Sequence, residues 1–484
     1  MQLSREAIVE GLQRIVGAQD VVTDEAVLRE SSVDNFRKLE NIFDVHTMPL
    51  PAAVVMARST ELVAAVLAFA DEHGVNVVPR TGHTATEGGL ETVVPDSIVL
   101  DGSPMNRIVD LDVYNMQATC QCGVPLQVLE DRAREHGLTT GHSPQSKPVA
   151  HLGGLVATRS IGQFSTLYGG IEDMVVGLEA VFPGGRVARI KNVPRRAAGP
   201  DIRHVVIGNE GALCFITEVT VKLFPYFPQN NSFLGYTHRS MNVGFEALRE
   251  VMVGGLKPSV ARVYDPGDAD LHFSHFIEPG DCVLLFMAEG PAGIVQATVE
   301  GIEEIVARHP ECRKVDSRYI ETWFNDLCWG PDKIAAEDER IRQTRNVNRT
   351  TEISANWSTI NDIYEAALGR IANEIPDITR LGGHSSHSYI NGTNMYFNYF
   401  YNVVGCGPED EPTRYYLPII GIICEETLRF GGSIVHHHGI GKARVPWVKD
   451  EYGSSFFMLE TLKRGFDPHG VMNRGTILPA EPRS

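Results

Sequence analysis

Three consecutive histidines, His436, His437 and His438, stand in GGSIVHHHGIGKARVPW (431–447). Two more, His384 and His387, lie three apart in GGHSSHSY. A neutral imidazole takes up a proton near pH 7, and the same ring nitrogens can ligate zinc or iron. In an extended chain side chains alternate, which would turn His437 away from His436 and His438 and keep the three from sharing one ion. From the residues alone, metal ligation, proton transfer and ordinary core histidines all stay open. Lys442 and Arg444, just downstream, are cations for a carboxylate or phosphate, or else solvated charges.

Glycine-rich segments suggest where a cofactor would lie. PRTGHTATEGG (79–89) follows an apolar strand pattern. Its glycines permit close backbone approach, successive amides can form an anion nest, and Thr81, Thr84 and Thr86 add hydroxyls. It is neither a Walker A loop nor GxGxxG. A second segment, 141–175, has Gly153, Gly154, Ala157 and Thr158, then Gly162, Gly169 and Gly170. A third, 197–225, sets Gly208, Glu210 and Gly211 before a β-rich run. Three such loops in one region could surround an extended dinucleotide.

Regular elements must position these groups. AAVVMA reads as a buried strand; Ser59 or Thr60 then caps a helix with Leu62, Val63, Val66, Leu67 and Ala70 on one face, and Gly74 ends it. VNVVP and SIVLD continue as strands, a β-α-β unit. MQATCQCGV is a further strand and PLQVLEDRAREHG a helix. From about residue 226, amphipathic helices such as FEALREVMVGG and WSTINDIYEAALGRIANE alternate with apolar runs, which predicts helices on one face of an antiparallel sheet. On MYFNYFY (395–401), Tyr396, Asn398 and Phe400 share one face, while Phe397, Tyr399 and Tyr401 share the other. One face can line a pocket and the other can pack under helices.

Composition bounds the partners. At 484 residues, two domains or one large composite are expected. A net charge of −18 argues against nucleic acid and against an anionic membrane surface. No apolar run reaches the ~18 residues of a membrane span. MQLSREAIVEGLQRIVG reads as an amphipathic helix, not a signal peptide. The eight cysteines are scattered, without metal or iron–sulfur spacing, and read as free thiols in a reducing cytoplasm.

Taken together, GGLVATRSIGQ, YGGIEDMV, GPDIRHVVIGNEGALCFITEVTVKL, TEISANW, MYFNYF and HHHGIGKAR resemble the FAD-linked vanillyl-alcohol oxidase/p-cresol methylhydroxylase superfamily. Within it, the chain is most similar to alkylglycerone-phosphate (alkyl-DHAP) synthases and their bacterial FAD-binding oxidase relatives. The resemblance implies an α+β fold: a two-subdomain FAD-binding domain over residues 1–225, and a cap with a large antiparallel sheet over 226–425. Residues 426–484 would return to the flavin domain and active site. It implies FAD held by Pro79, Arg80, Thr81, Gly82, His83, Thr84 and Ala85, by Pro144 and Ser146, by Leu152, Gly153, Gly154, Ala157 and Thr158, and by Glu210 and Ile216. Some members attach flavin to a histidine of the first loop. His83 is offset from that place by one residue, so noncovalent FAD is expected.

The resemblance also places an active-site tyrosine at Tyr396, with His436, His437, His438 and Arg262 as its catalytic company. Metal-using relatives carry histidines where this chain has Tyr389 and Tyr396, which implies no metal. Leu155 stands where the synthases usually have Trp. The activity implied is oxidation of an alcohol or a phenolic/aryl-alkyl substrate by hydride transfer to flavin N5, with oxygen or an electron acceptor reoxidising the flavin. Alkyl-for-acyl exchange without net redox is one alternative, and metal-assisted 2-hydroxy-acid oxidation is another. The expected partners are a small-molecule substrate and that acceptor, with a homodimer allowed for, in the cytoplasm.

Overall fold

The computed structural model describes residues 3–480. Near the N-terminus, Ser59 caps the helix Thr60–His73 by accepting the Leu62 N–H, and Gly74, at φ 65°, ends it. This helix connects the strands Ala53–Met56 and Val77–Arg80, each pairing in parallel with Ile98–Asp101. With Val21–Val22 they form a four-stranded sheet. Val77–Arg80 lies at its edge, so the loop that follows is free to leave the sheet and meet other parts of the chain.

A five-stranded antiparallel sheet comes next, in the order Ile108–Asp112, Gln117–Gln121, Phe215–Lys222, Val175–Phe182, Arg186–Ile190. The helix Leu152–Ala157 packs on it. The largest sheet has seven antiparallel strands, with Val260–Tyr264, Ile378–Ser385, Gly392–Asn402 and Asn346–Asn356 adjacent in that order. The expected α+β architecture with a large antiparallel sheet is therefore what the chain adopts.

The helices Met241–Val253, Ala292–Val306, Ile360–Glu374 and Leu417–Arg429 share one core on one side of this sheet. That core takes in Phe397, Tyr399 and Tyr401, as the alternation on MYFNYFY requires. Burying each such ring contributes roughly 1.5–3 kcal/mol before entropy is counted. The helices are not all on one side, however. Pro266–Phe273 and Ser317–Asn325 cover part of the opposite face, where Tyr264, Phe273 and Trp323 form a separate cluster. What they leave uncovered of that face holds the half-buried Tyr396, Asn398 and Phe400.

The register sets the chemistry of this open face. Tyr264 lies opposite His384, His384 opposite Tyr396, and Tyr396 opposite Glu352. Four strands thus place four polar side chains on one rung. The tail closes the structure by returning to the first sheet, where Val77 N–H donates to Val471 C=O at 2.8 Å and Asn473 N–H to Val77 C=O at 2.8 Å.

Candidate active site

A cavity of about 700 Å³ opens between the first two sheets and the open face of the third. Its walls include Pro79 through Ala85, Pro144, Ser146, Gly153, Gly154, Ala157, Thr158, Glu210 and Ile216. Arg262, Tyr396, His437 and His438 line it as well. Two expected residues do not. Leu152 is 1% exposed, because its side chain joins the core packed against the five-stranded sheet. His436 faces a second cavity behind the histidine loop.

The cradle has the features a dinucleotide needs. Among the described residues, no hydrogen-bond acceptor takes the N–H groups of Gly82, His83, Thr84 and Ala85. His83 adopts φ 55°, the left-handed turn that points successive amides into one concavity. Thr81 Oγ1, His151 Nδ1 and Gln163 Oε1, all in the cavity wall, are buried without a partner. A buried polar atom left unsatisfied costs ~1–3 kcal/mol, so a wall with several of them is shaped for a polar ligand. FAD fits these residues: the amide run suits the pyrophosphate and the orphaned polar atoms suit its hydrogen-bonding groups.

The glycines act differently from expectation. A Cβ on Gly82 would lie 2.8 Å from His151 N and 2.9 Å from Val149 O. One on Gly153 would lie 2.6 Å from the Cys122 Cβ. Both glycines let protein segments touch one another, and the ligand wall follows from that contact. His83 itself donates from Nε2 to Val33 C=O at 2.8 Å. This engages one ring nitrogen with the N-terminal segment.

The histidine loop is not an extended strand, so its side chains do not alternate as the sequence suggested. Glu352 Oε1 accepts the backbone N–H of all three residues: His436 at 3.2 Å, His437 at 2.9 Å and His438 at 2.9 Å. The loop curls over one carboxylate oxygen. His438 Nδ1 lies 2.8 Å from the other oxygen, Oε2, and Arg444 Nη2 donates to it at 2.9 Å. Burial raises the Glu352 carboxyl, but His438 and Arg444 outweigh it and hold the group well below the usual carboxylate range. In return, Glu352 overcomes the burial that would lower the His438 imidazole and raises it instead.

Its neighbours stay neutral. Burial pushes His436 down to about 4 and His437 well below its ordinary value. Tyr396 hydroxyl and His437 Nε2 are 2.7 Å apart. Burial, followed by the Glu352 charge, raises the Tyr396 phenol above its usual range, so a neutral phenol faces a neutral imidazole. His384 is stacked between Tyr264 and Tyr396, 4.7 Å from each, and its Nδ1 is 2.5 Å from Asp268 Oδ2. Arg262 is 3% exposed, donates to the Tyr264 hydroxyl at 2.8 Å and leaves Nε without a partner. Among the described residues no carboxylate pairs with it.

Glu352 was missed in the sequence although TEISANW was singled out. The readable signal is a lone carboxylate at an inward position of an alternating strand. Arg444 is also recast: it is fully buried and bridges Glu352 to Glu87, with Nε 3.2 Å from Glu87 Oε2. Lys442 Nζ is spent on Gly89 C=O at 3.2 Å, Asn473 Oδ1 at 3.0 Å and Thr476 Oγ1 at 2.8 Å. Neither is solvated, and neither is free for a phosphate. Glu210, expected at the cofactor, also grips the histidine loop: its carboxylate accepts Ile440 N–H at 2.8 Å and Gly441 N–H at 2.7 Å.

A dinucleotide cradle of loops beside a small, mostly parallel sheet, facing a large antiparallel sheet, is the arrangement of a flavin-dependent oxidoreductase. Residues 51–191 match the family described as FAD binding domain, and residues 227–477 match FAD linked oxidases, C-terminal domain. The chain belongs to the FAD-linked oxidase family, and its cofactor is FAD. It is 64% identical to the FAD-linked oxidoreductase YgcU of Escherichia coli O157:H7, over 99% of this chain and 100% of that one. It is 27% identical to alkyldihydroxyacetonephosphate synthase of Dictyostelium discoideum, over 89% of this chain and 73% of the relative. Its fold is that of p-cresol methylhydroxylase, with a TM-score of 0.75 at 16% identity over 98% of this chain and 97% of that structure. The family resemblance drawn from the motifs holds. Among the described residues no helix is long and apolar enough to cross a membrane.

Proposed function

We propose that this FAD-linked oxidoreductase oxidises an alcohol or a phenolic carbinol substrate, whose carbon gives hydride to flavin N5 while its hydroxyl proton is taken by Tyr396 backed by His437. The supporting observation is the 2.7 Å contact between a neutral phenol and a neutral imidazole in the cavity wall. Donating to His437 Nε2 turns the Tyr396 oxygen into an acceptor for the substrate hydroxyl. His438 is a positioning residue in this reading, since its charge is spent on Glu352. Arg262, a buried cation that no carboxylate pairs with among the described residues, favours negative charge developing in the cavity. FAD supplies the two-electron acceptor, held noncovalently by the cradle, and oxygen or another acceptor reoxidises it. Residues 1–225 carry the flavin in this reading, 226–425 the substrate face, and 426–484 bring the histidine loop back between them.

Two other chemistries have support of their own. Alkyl-for-acyl exchange without net redox is favoured by the likeness to the synthases and by Arg262, which would receive a substrate phosphate. Metal-assisted oxidation of a 2-hydroxy acid is favoured by ligand atoms of His387, His436 and His437 lying within 4.8 Å of one another. Against it, His436 and His437 already use both ring nitrogens in hydrogen bonds. Anaerobic addition of alcohols, phenolic carbinols and 2-hydroxy acids to the holoenzyme separates the three. Bleaching of the flavin by an alcohol supports the proposal. Bleaching only by 2-hydroxy acids, abolished by chelation, supports the metal reading. Failure of every class to bleach it removes alcohol oxidation and leaves exchange.

A further inference from the structure

We propose that Tyr396, His437, His436 and Tyr389 form a proton exit path, leading from the substrate cavity through the histidine loop to a second cavity behind it. The proposal rests on the alcohol oxidation above for its source of protons. Three contacts join the four side chains: Tyr396 hydroxyl to His437 Nε2 at 2.7 Å, His437 Nδ1 to His436 Nδ1 at 2.9 Å, and His436 Nε2 to Tyr389 hydroxyl at 2.7 Å. The first residue lines the substrate cavity. The last is 37% exposed and lines a cavity of about 870 Å³ together with Arg159, Glu172, Glu451 and Tyr452.

A direction follows once the Tyr396 hydroxyl is taken as the donor to His437. A neutral imidazole has one N–H and one bare nitrogen. With the Tyr396 hydroxyl donating, His437 Nε2 is bare and Nδ1 carries the proton. His436 Nδ1 must then be bare and its Nε2 protonated, which makes Tyr389 the acceptor and points its own hydroxyl toward the second cavity. Every donor meets an acceptor, with no clash of two N–H groups between the adjacent histidines. Glu352 enforces the arrangement by gripping both backbone N–H groups. The charged and titratable groups around the chain are His387, stacked on His436 at 5.2 Å, with Glu352, His438 and Arg444 on one side and Arg159, Glu172 and Asp173 near Tyr389.

The transfer balances. As the substrate O–H bond breaks, its proton joins Tyr396 while the Tyr396 proton passes to His437 Nε2. His437 gives its Nδ1 proton to His436 Nδ1, His436 gives its Nε2 proton to Tyr389, and Tyr389 releases its own proton to water. The hydride leaves separately with both bonding electrons, so no charge stays on the relay, but both imidazoles have changed tautomer. Reduction of dioxygen to hydrogen peroxide by the two stored electrons consumes one proton beyond the hydride. A proton returning along the same path restores the starting tautomers. Tyr389 and His436 touch no substrate; they are positioning residues acting through His437.

The test uses holoenzyme labelled with ¹⁵N-histidine. We expect His437 protonated on Nδ1 and His436 on Nε2 at neutral pH; the other tautomer on either ring, or two protons on one ring, overturns the path. Tyr389→Phe should keep the fold, the flavin and these tautomers. It should slow both solvent exchange of the His436 N–H and flavin bleaching by an alcohol about 10- to 100-fold, less than the ~10²–10⁴ lost with a group that meets the reacting proton itself. His436→Ala is the second variant, and millimolar imidazole should restore its bleaching rate, which a purely structural role would not allow. Wild-type exchange in Tyr389→Phe, or no rescue of His436→Ala, overturns the proposal. If no alcohol bleaches the wild-type flavin, the alcohol-oxidation reading falls, while tautomers and exchange still decide whether the chain conducts.

Discussion

Glu352 and Tyr396 stand directly opposite each other on neighbouring strands, and both reach His437: the carboxylate through its backbone N–H at 2.9 Å, the phenol through its Nε2 at 2.7 Å. The ring beside the phenol is thus positioned by the strand next to the phenol. A shift of one residue in this pairing would send Glu352 to the opposite face and release the histidine loop.

Tyr396→Phe removes one hydroxyl from the cavity wall. The variant should fold and bind flavin, with alcohol-dependent bleaching slowed by ~10²–10⁴. A wild-type rate in stopped-flow absorbance would remove Tyr396 from the chemistry.

Arg444→Met leaves Glu87 and Glu352 buried without their shared cation. Breaking a buried pair from one side costs ~3–5 kcal/mol. The urea midpoint should fall accordingly, and a midpoint equal to the wild type would show that the bridge contributes nothing.

Gly82→Ala forces the first loop away from His151 and Val149. The purified variant should carry little or no FAD while keeping its far-UV circular dichroism. Full flavin stoichiometry would contradict the loop contact as the basis of the cradle.

Acid precipitation of the wild type should leave a colourless pellet and yellow supernatant, because His83 Nε2 is engaged with Val33. His83→Ala should stay yellow before precipitation. Colour retained in the wild-type pellet and lost in the variant would show covalent attachment.

Neighbouring histidines should titrate in opposite directions: His436 stays neutral down to about 4 and His438 stays charged above its ordinary value. His438 binds its proton more tightly folded than unfolded. Its stabilising effect is therefore complete below the unfolded value of ~6.5 and lost as pH rises through the raised folded value. The stability difference between wild type and His438→Gln should shrink from pH 6 to pH 9, and growth over that range would reverse the assignment.

Much of this was readable from local pattern. Ser59 and Gly74 mark their helix because capping is decided within a few residues. Strand alternation separated Tyr396 from Phe397 correctly. The glycine loops and HHH pointed to the site. What could not be read depends on distant partners. HHH looked extended, and only Glu352, 84–86 residues away, makes it curl. Lys442 and Arg444 looked available because Glu87 and Asn473 are remote in the chain. Leu152 was expected at the cofactor with the glycines that follow it, whereas its side chain is buried in the core.

The Arg444–Glu87 bridge has a consequence for biosynthesis. Its two ends are 357 residues apart, and Val77, at the start of the edge strand beside the cradle, takes its last partners from residues 471–473. A ribosome adding about 5–20 residues per second needs roughly 20–70 s to travel between the two charges. Throughout that interval the nascent flavin loop carries a carboxylate without its cation and an edge strand without its cover. Stable cofactor capture therefore waits for residues 444 and 471–473, and a chain lacking them would lose its flavin as well as the anchor of its histidine loop.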